Sequence, residues 1–221
     1  MPELGHLAAI ALAWAAYGIL HSWLAGNGLK DWVARRRPGL APAYRLVFNG
    51  LALVLLVPPL GLTWAYPGAA LWHWPAWIAW PALLATVAGY LWSLRWYDSM
   101  DFIGLRQWRA RGAPDGWHDS FVLSPLHRYV RHPWYSLGLL YLWTRDLNAG
   151  WLVASLTVTV YLVVGSRLEE AKLIAVFGDA YRRYRDRVPG LVPLPWRYLR
   201  AEDAPDLLGP DRAQASKESS S

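Results

Sequence analysis

Five apolar runs divide the chain, and their lengths decide what it can fold into. The first extends from about Leu4 to Leu24, the second from about Tyr44 to Tyr66 and the third from about Trp77 to Trp96. Each is close to the roughly 20 helical residues that cross a hydrocarbon core. The fourth, Trp134 to Trp143, would rise only about 15 Å as a helix, half of such a core. The fifth, Trp151 to Gly165, is longer. Composition agrees: charged residues make up 17%, against roughly 25% in soluble domains. The 16 Trp and 12 Tyr suit the two membrane–water interfaces, where one end of the ring is apolar and the other wet. The expected fold is an all-α integral membrane protein of about five transmembrane helices, ending in a C-terminal helical hairpin and a cytoplasmic amphipathic helix.

Charge sets the orientation. Lys30, Arg35, Arg36 and Arg37 follow the first run, after a Gly26-Asn27-Gly28 break, and Pro38 and Pro42 punctuate the loop. Positive residues mark the cytoplasmic side, so the N-terminus is placed outside. The loop from Pro67 to Trp77 has no Lys or Arg, as an external loop should. Arg95, Arg106, Arg109 and Arg111 lie at or after the end of the third run, and Arg182, Arg183, Arg185 and Arg187 follow the fifth. Five crossings put all these basic segments, and the C-terminus, in the cytoplasm. No Lys or Arg precedes the first run and no clear cleavage site follows it, so it reads as a retained span rather than a signal peptide. Pro58-Pro59 is expected to kink the second span. Many Ala, Arg, Gly, Pro and Trp with few Lys point to a bacterial inner membrane.

Several chemistries are excluded. Without cysteine there is no disulfide, thiolate nucleophile or Cys-ligated metal. His6, His21, His73, His118 and His127 form no HxxxH or HExxH spacing, so no metal site is expected. There is no P-loop, GxGxxG or GxSxG. The net charge of +6 sits beside apolar runs rather than on a soluble face, which argues against nucleic acid.

Two polar clusters bracket the hairpin from Pro133 to Arg167. The first is Arg128-Tyr129-Val130-Arg131-His132-Pro133-Trp134-Tyr135. Proline starts a helix well, and a helix N-terminus favours an anion. Arg131 could therefore meet a carboxylate with His132, or serve only orientation while His132 caps the helix. The second cluster is Glu169-Glu170, at the cytoplasmic end of an apolar helix, where the macrodipole disfavours negative charge. The pair needs a partner: Arg128, Arg131, Arg167 or a cationic ligand, or else Lys172 on a solvated face. Arg167 to Arg187 is expected to be one amphipathic helix, with Glu170, Ile174, Phe177, Tyr181 and Tyr184 on a shared face. On spacing, Tyr181 and Tyr184 pack. Asp146 at the hairpin tip is expected to pair with Arg145. The polar loop from Tyr97 to Arg131, with Asp98, Asp101, Asp115, His118 and Asp119, is long enough to suggest a function.

The chain resembles the membrane methyltransferases related to isoprenylcysteine carboxyl methyltransferase and to the phospholipid methyltransferases. The resemblance covers about Ser124 to Pro193 and rests on Arg-Tyr-Val-Arg-His-Pro-x-Tyr at 128–135, then Glu169-Glu170, Leu173, Phe177-Gly178, Tyr181, Tyr184 and Val188-Pro189. Leu137 stands where the family often has Gly, and Ser124-Pro125 where Gly-Pro is common. The resemblance implies S-adenosyl-L-methionine as cofactor and a lipophilic or small acceptor (thiol, carboxylate or amine) entering from the bilayer. Carried over residue by residue, it gives Arg131 and Glu169 catalytic roles. It assigns Arg128, Tyr129, Arg131, His132, Pro133, Tyr135, Glu169, Glu170, Tyr181 and Tyr184 to the cofactor. Arg131 and His132 would take its carboxylate, the glutamates its ammonium or ribose hydroxyls, and aromatic faces its sulfonium. The alternatives are a nicotinamide-dependent membrane reductase related to the sterol reductases, whose members usually have more spans, and a non-catalytic membrane scaffold.

Four segments are expected: a three-span bundle at 1–97, a cytoplasmic connector at 98–133, the hairpin and amphipathic helix with the cofactor site at 134–200, and a disordered tail at 201–221, rich in Asp, Pro and Ser.

Overall fold

The computed structural model describes residues 2–110 and 124–200. The expectations for Arg111, Asp115, His118, Asp119 and the tail lie outside the described residues. The helices are α1 (Pro2–Ala25), α2 (Asn27–Arg36), α3 (Tyr44–Ala65), α4 (Ala76–Ser93), α5 (Ser99–Ile103), α6 (Leu105–Ala110), α7 (Pro133–Trp143), α8 (Ala149–Phe177) and α9 (Asp179–Arg187), with 3-10 turns at Pro38–Ala43, Leu94–Trp96 and Pro125–Arg128. An antiparallel ribbon of β1 (Ala70–Trp72) and β2 (Leu147–Asn148) is the one sheet among the described residues.

Four stretches are long and apolar enough to cross a bilayer: Glu3–Ala25, Pro38–Ala65, Ala76–Trp96 and Ala149–Phe177. At 11 residues, α7 is not among them, so the expected five spans become four long helices and one short one. Two local expectations also change, one after Gly26 and one at Gly178. The Gly26 break ends α1 at Ala25 as expected, but the basic segment after it, expected as a loop, is helical as α2 from Asn27. The second span runs on as α3 through Pro58 and Pro59, where the Thr63 hydroxyl donates to the Pro59 carbonyl at 2.7 Å. The single helix expected from Arg167 to Arg187 is two. α8 continues from Ala149 to Phe177, Gly178 turns the chain at φ +56°, and α9 begins at Asp179. At 1.5 Å per residue, Glu170 stands roughly 30 Å along α8, one hydrocarbon thickness from its start.

The described residues form two units, one of residues 2–110 and 141–161 and one of 124–140 and 162–200. In the first unit, Ile10, Trp151 and Ala154 make a buried cluster with Leu7, Trp14, Leu60 and Val153 around it. The Trp14 indole donates to the Thr63 hydroxyl at 3.0 Å, so the polar groups inside this bundle satisfy each other. Asp146 accepts from the Trp74 amide at 3.2 Å and pairs with His73 at 2.8 Å. Arg145 instead lies over the Trp151 ring, 3.5 Å from its centroid. The two Asp146 contacts tie the hairpin tip to the loop carrying β1, and among the described residues no direct ion pair joins Asp146 to Arg145. In the connector, Asp98 caps α5 by accepting from the Met100 and Asp101 amides, and Arg106 pairs with both Asp98 and Asp101.

In the second unit, Val130, Tyr181, Tyr184, Val188 and Leu199 are buried. They hold together the start of α7, the end of α8, α9 and the segment after it.

Candidate active site

The site begins with a turn. Ser124 caps the 3-10 turn Pro125–Arg128, and His127 returns the contact in a capping box. The Ser124 amide donates to His127 Nδ1 at 3.1 Å. A backbone N–H can only donate, so Nδ1 is the unprotonated nitrogen and the proton sits on Nε2. Burial, and then the nearby charge of His132, hold the His127 imidazole down at about 4, so it is neutral at physiological pH. The Tyr184 hydroxyl donates to the His127 carbonyl at 2.7 Å, joining α9 to the turn.

The next two residues are pinned by backbone. The Arg131 amide donates to Pro189 O at 2.9 Å, and the His132 amide to Gly190 O at 3.1 Å. Pro133 then opens α7, where its missing N–H costs nothing. The Arg131 guanidinium turns inward: Nη1 donates to Arg185 O at 2.9 Å and also to Val188 O. Nε and Nη2 both lie 2.8 Å from Glu170 Oε1. Four of its five donors are thereby used.

His132 lies between the two acids. Its Nε2 is 3.0 Å from Glu170 Oε1 and its Nδ1 3.4 Å from Glu169 Oε2. A neutral imidazole has one N–H, and two carboxylate contacts call for two. Burial works against the cation, but the bonds to Glu169 and Glu170 outweigh it and raise the imidazole above its ordinary value. The Tyr135 ring stacks on His132 with centroids 5.4 Å apart, and its hydroxyl reaches Glu169 Oε2 at 3.4 Å.

The two acids differ in exposure. The Glu170 side chain is 13% exposed, that of Glu169 50%. Each has one oxygen held, and among the described residues neither Glu169 Oε1 nor Glu170 Oε2 has a hydrogen-bond partner. Two adjacent carboxylates thus keep an open oxygen each, beside a stacked aromatic pair, on a frame fixed by a buried arginine.

The expected residues sort into groups. Arg131, His132, Tyr135, Glu169 and Glu170 come together, with Pro133 buried behind them. Tyr181 and Tyr184 are buried, and burial raises both phenols. Arg128 and Tyr129 face the C-terminal segment: Arg128 Nε donates to Leu199 O at 2.9 Å, and Tyr129 stacks on Tyr198. Arg185, Val188, Pro189, Gly190 and Leu199 were not expected here, although Val188-Pro189 belongs to the sequence pattern. They act through backbone carbonyls, which leave no side-chain signature.

Comparison with known proteins decides the family. Methanethiol S-methyltransferase 2 of Bradyrhizobium diazoefficiens is 32% identical over 204 residues, covering 87% of this chain and 75% of its own length. The chain belongs to this membrane methyltransferase family. The methanethiol S-methyltransferase of Mycobacterium tuberculosis is 29% identical, over 82% of this chain and 76% of its own. The protein-S-isoprenylcysteine O-methyltransferase of Schizosaccharomyces pombe is 34% identical over 77 residues, 33% of each chain. No family model and no solved structure matches. An alignment of 204 residues cannot fit within the C-terminal third, so the likeness to this methyltransferase family reaches the N-terminal helices too. The protein is an integral membrane methyltransferase, and the reductase alternative finds no support.

Proposed function

We propose that the protein transfers the methyl group of S-adenosyl-L-methionine to a small thiol. The reading rests on the unpartnered carboxylate oxygen of half-exposed Glu169 beside the His132–Tyr135 stack, on a frame held by the Arg131–Glu170 pair. This donor set fits the cofactor: Glu169 suits its ammonium or ribose hydroxyls, and the Tyr135 ring suits a cationic sulfonium. When bound, the cofactor supplies an electrophilic methyl group. Glu169, half exposed, is the contacting acid. Arg131 and Glu170 are positioning residues, because their charges are already spent on each other. His132 holds both carboxylates in place, and Tyr135 fixes the Glu169 rotamer. The buried frame keeps water from one side of the site, and alignment of the acceptor does much of the remaining work.

A thiol is favoured over a carboxylate or amine because relatives aligned over most of the chain are named for methanethiol. The basic residues in α2, in α6 and after α8 support a reading in which those segments are cytoplasmic, the N-terminus is outside and the membrane is a bacterial inner one.

The test uses the purified protein in lipid nanodiscs with methyl-deuterated S-adenosylmethionine and a short alkanethiol. Gas chromatography with mass spectrometry should detect the deuterated methyl thioether. Binding of the cofactor with no product from thiols, but product from an amine or carboxylate, would overturn the acceptor. Absence of cofactor binding would overturn the reading as a whole.

A further inference from the structure

The segment after α9 has a feature that methyl transfer does not use. From Val188 to Arg200 it contains no acidic residue and three prolines, Pro189, Pro193 and Pro195. It folds back on itself: the Arg197 amide donates to Leu194 O at 3.0 Å, and the two residues form a bridge. Pro195 and Trp196 are therefore at the apex of a tight turn. Trp196 is 75% exposed and Val192 65%, and Tyr198 and Tyr129 are also exposed, stacked on each other. The turn is firmly anchored, since the Leu199 amide donates to Arg128 O at 2.8 Å, Arg128 Nε returns the bond, and the Leu199 side chain is buried. A strap so well fixed, holding a bare indole at its tip, is not a loose end.

We propose that this strap, residues 188–200, is an interfacial anchor that seats Trp196, Val192 and the Tyr129–Tyr198 pair among the headgroups of an anionic bilayer. Three features point to that partner. Trp and Tyr gain most at the headgroup level, where an apolar ring meets water. Arg197 and Arg200 in the strap, and Arg183 and Arg187 in the preceding helix, supply positive charge that an anionic leaflet attracts. Three prolines remove backbone donors that would otherwise need partners near lipid. The strap also holds the site frame, since Pro189 O and Gly190 O receive the Arg131 and His132 amides. Seating it in the bilayer therefore steadies the residues that carry the candidate site.

The chain has no cysteine, so single labels are clean. Trp196→Cys carries a nitroxide in full-length protein, reconstituted into vesicles of phosphatidylcholine with and without phosphatidylglycerol. Leu53→Cys, exposed on α3, serves as the lipid reference and Asp179→Cys as the water reference. Collision with oxygen against a water-soluble nickel chelate gives the depth. The label at 196 should favour oxygen several-fold more than the label at 179, and more so with phosphatidylglycerol. A label at 196 as open to the chelate as the one at 179 overturns the proposal. A label shielded from both reagents overturns it too, because a protein surface then covers the strap. Failure of either kind leaves the methyl-transfer reading untouched.

Discussion

Glu170 Oε1 stands 2.8 Å from both Nε and Nη2 of Arg131, joining two clusters 39 residues apart in sequence. Both side chains are nearly buried, at 12% and 13% exposure. A buried pair gains little over an apolar substitute, but removing one partner leaves an uncompensated charge, at a cost of about 3–5 kcal/mol. Arg131→Met and Glu170→Gln should each lose roughly that much stability. Together they should lose clearly less than the sum, because the residues are in direct contact. Chemical unfolding in detergent measures all three variants. Strictly additive losses would show that the pair is not coupled.

Glu169→Gln should behave differently. The carboxylate is half exposed and its ties to Tyr135 and His132 are long, at 3.4 Å each. Folding should be nearly unaffected, whereas a charge-assisted bond to the cofactor is worth about 1.5–3 kcal/mol, roughly tenfold or more in affinity. Isothermal titration with S-adenosylmethionine, beside a thermal melt, reads both. A fall in melting temperature with unchanged affinity would assign Glu169 to the frame and leave the cofactor without its contacting acid.

His132 gives the site a pH dependence with a definite sign. Its folded value is raised above the ordinary 6.5. The stabilisation it adds is complete below 6.5, where folded and unfolded forms are both protonated, and is lost as pH rises through the raised folded value. Above that window the imidazole keeps one N–H and holds only one of the two acids. Stability measured from pH 6 upward should therefore decline across the window in the wild type. In His132→Asn that decline should be absent. A decline that persists in the variant would assign the titration to another group.

Much of the site was legible because membrane chains spend charge sparingly. Arg131, His132, Glu169 and Glu170 stand out beside apolar runs, and the lack of any dipole benefit for the glutamates demanded a partner. The Arg131–Glu170 pair was among the partners the sequence offered, but the rest of what holds Arg131 was not legible, since those acceptors are the carbonyls of Arg185 and Val188 and any residue carries a carbonyl. The long helices followed from run length, but the end of α8 did not. Glu170, Phe177, Tyr181 and Tyr184 keep a helical spacing across Gly178, and a lone glycine inside such a pattern reads as tolerated. Gly26-Asn27-Gly28 does stop α1, at Ala25, but the basic segment that follows, read as a loop, is the helix α2. The partners of Asp146 were hidden because His73 and Trp74 lie more than 70 residues away, whereas Arg145 is its neighbour.

Two glycines in the second unit separate backbone strain from crowding. Gly178 has φ +56°, and a Cβ there would meet nothing within 4 Å. Gly178→Ala should therefore lose about 1–2 kcal/mol through conformation alone, with cofactor affinity preserved. At Gly190 a Cβ would stand 3.3 Å from Arg131 Nη2. An unrestrained arginine would swing aside, but this one is held by Glu170 and two carbonyls, so the contact must be relieved by moving the frame. Gly190→Ala should weaken cofactor binding more than it lowers the melting temperature. Equal effects of the two substitutions on affinity would show that Arg131 has room to yield and that Glu169 does not depend on its placement.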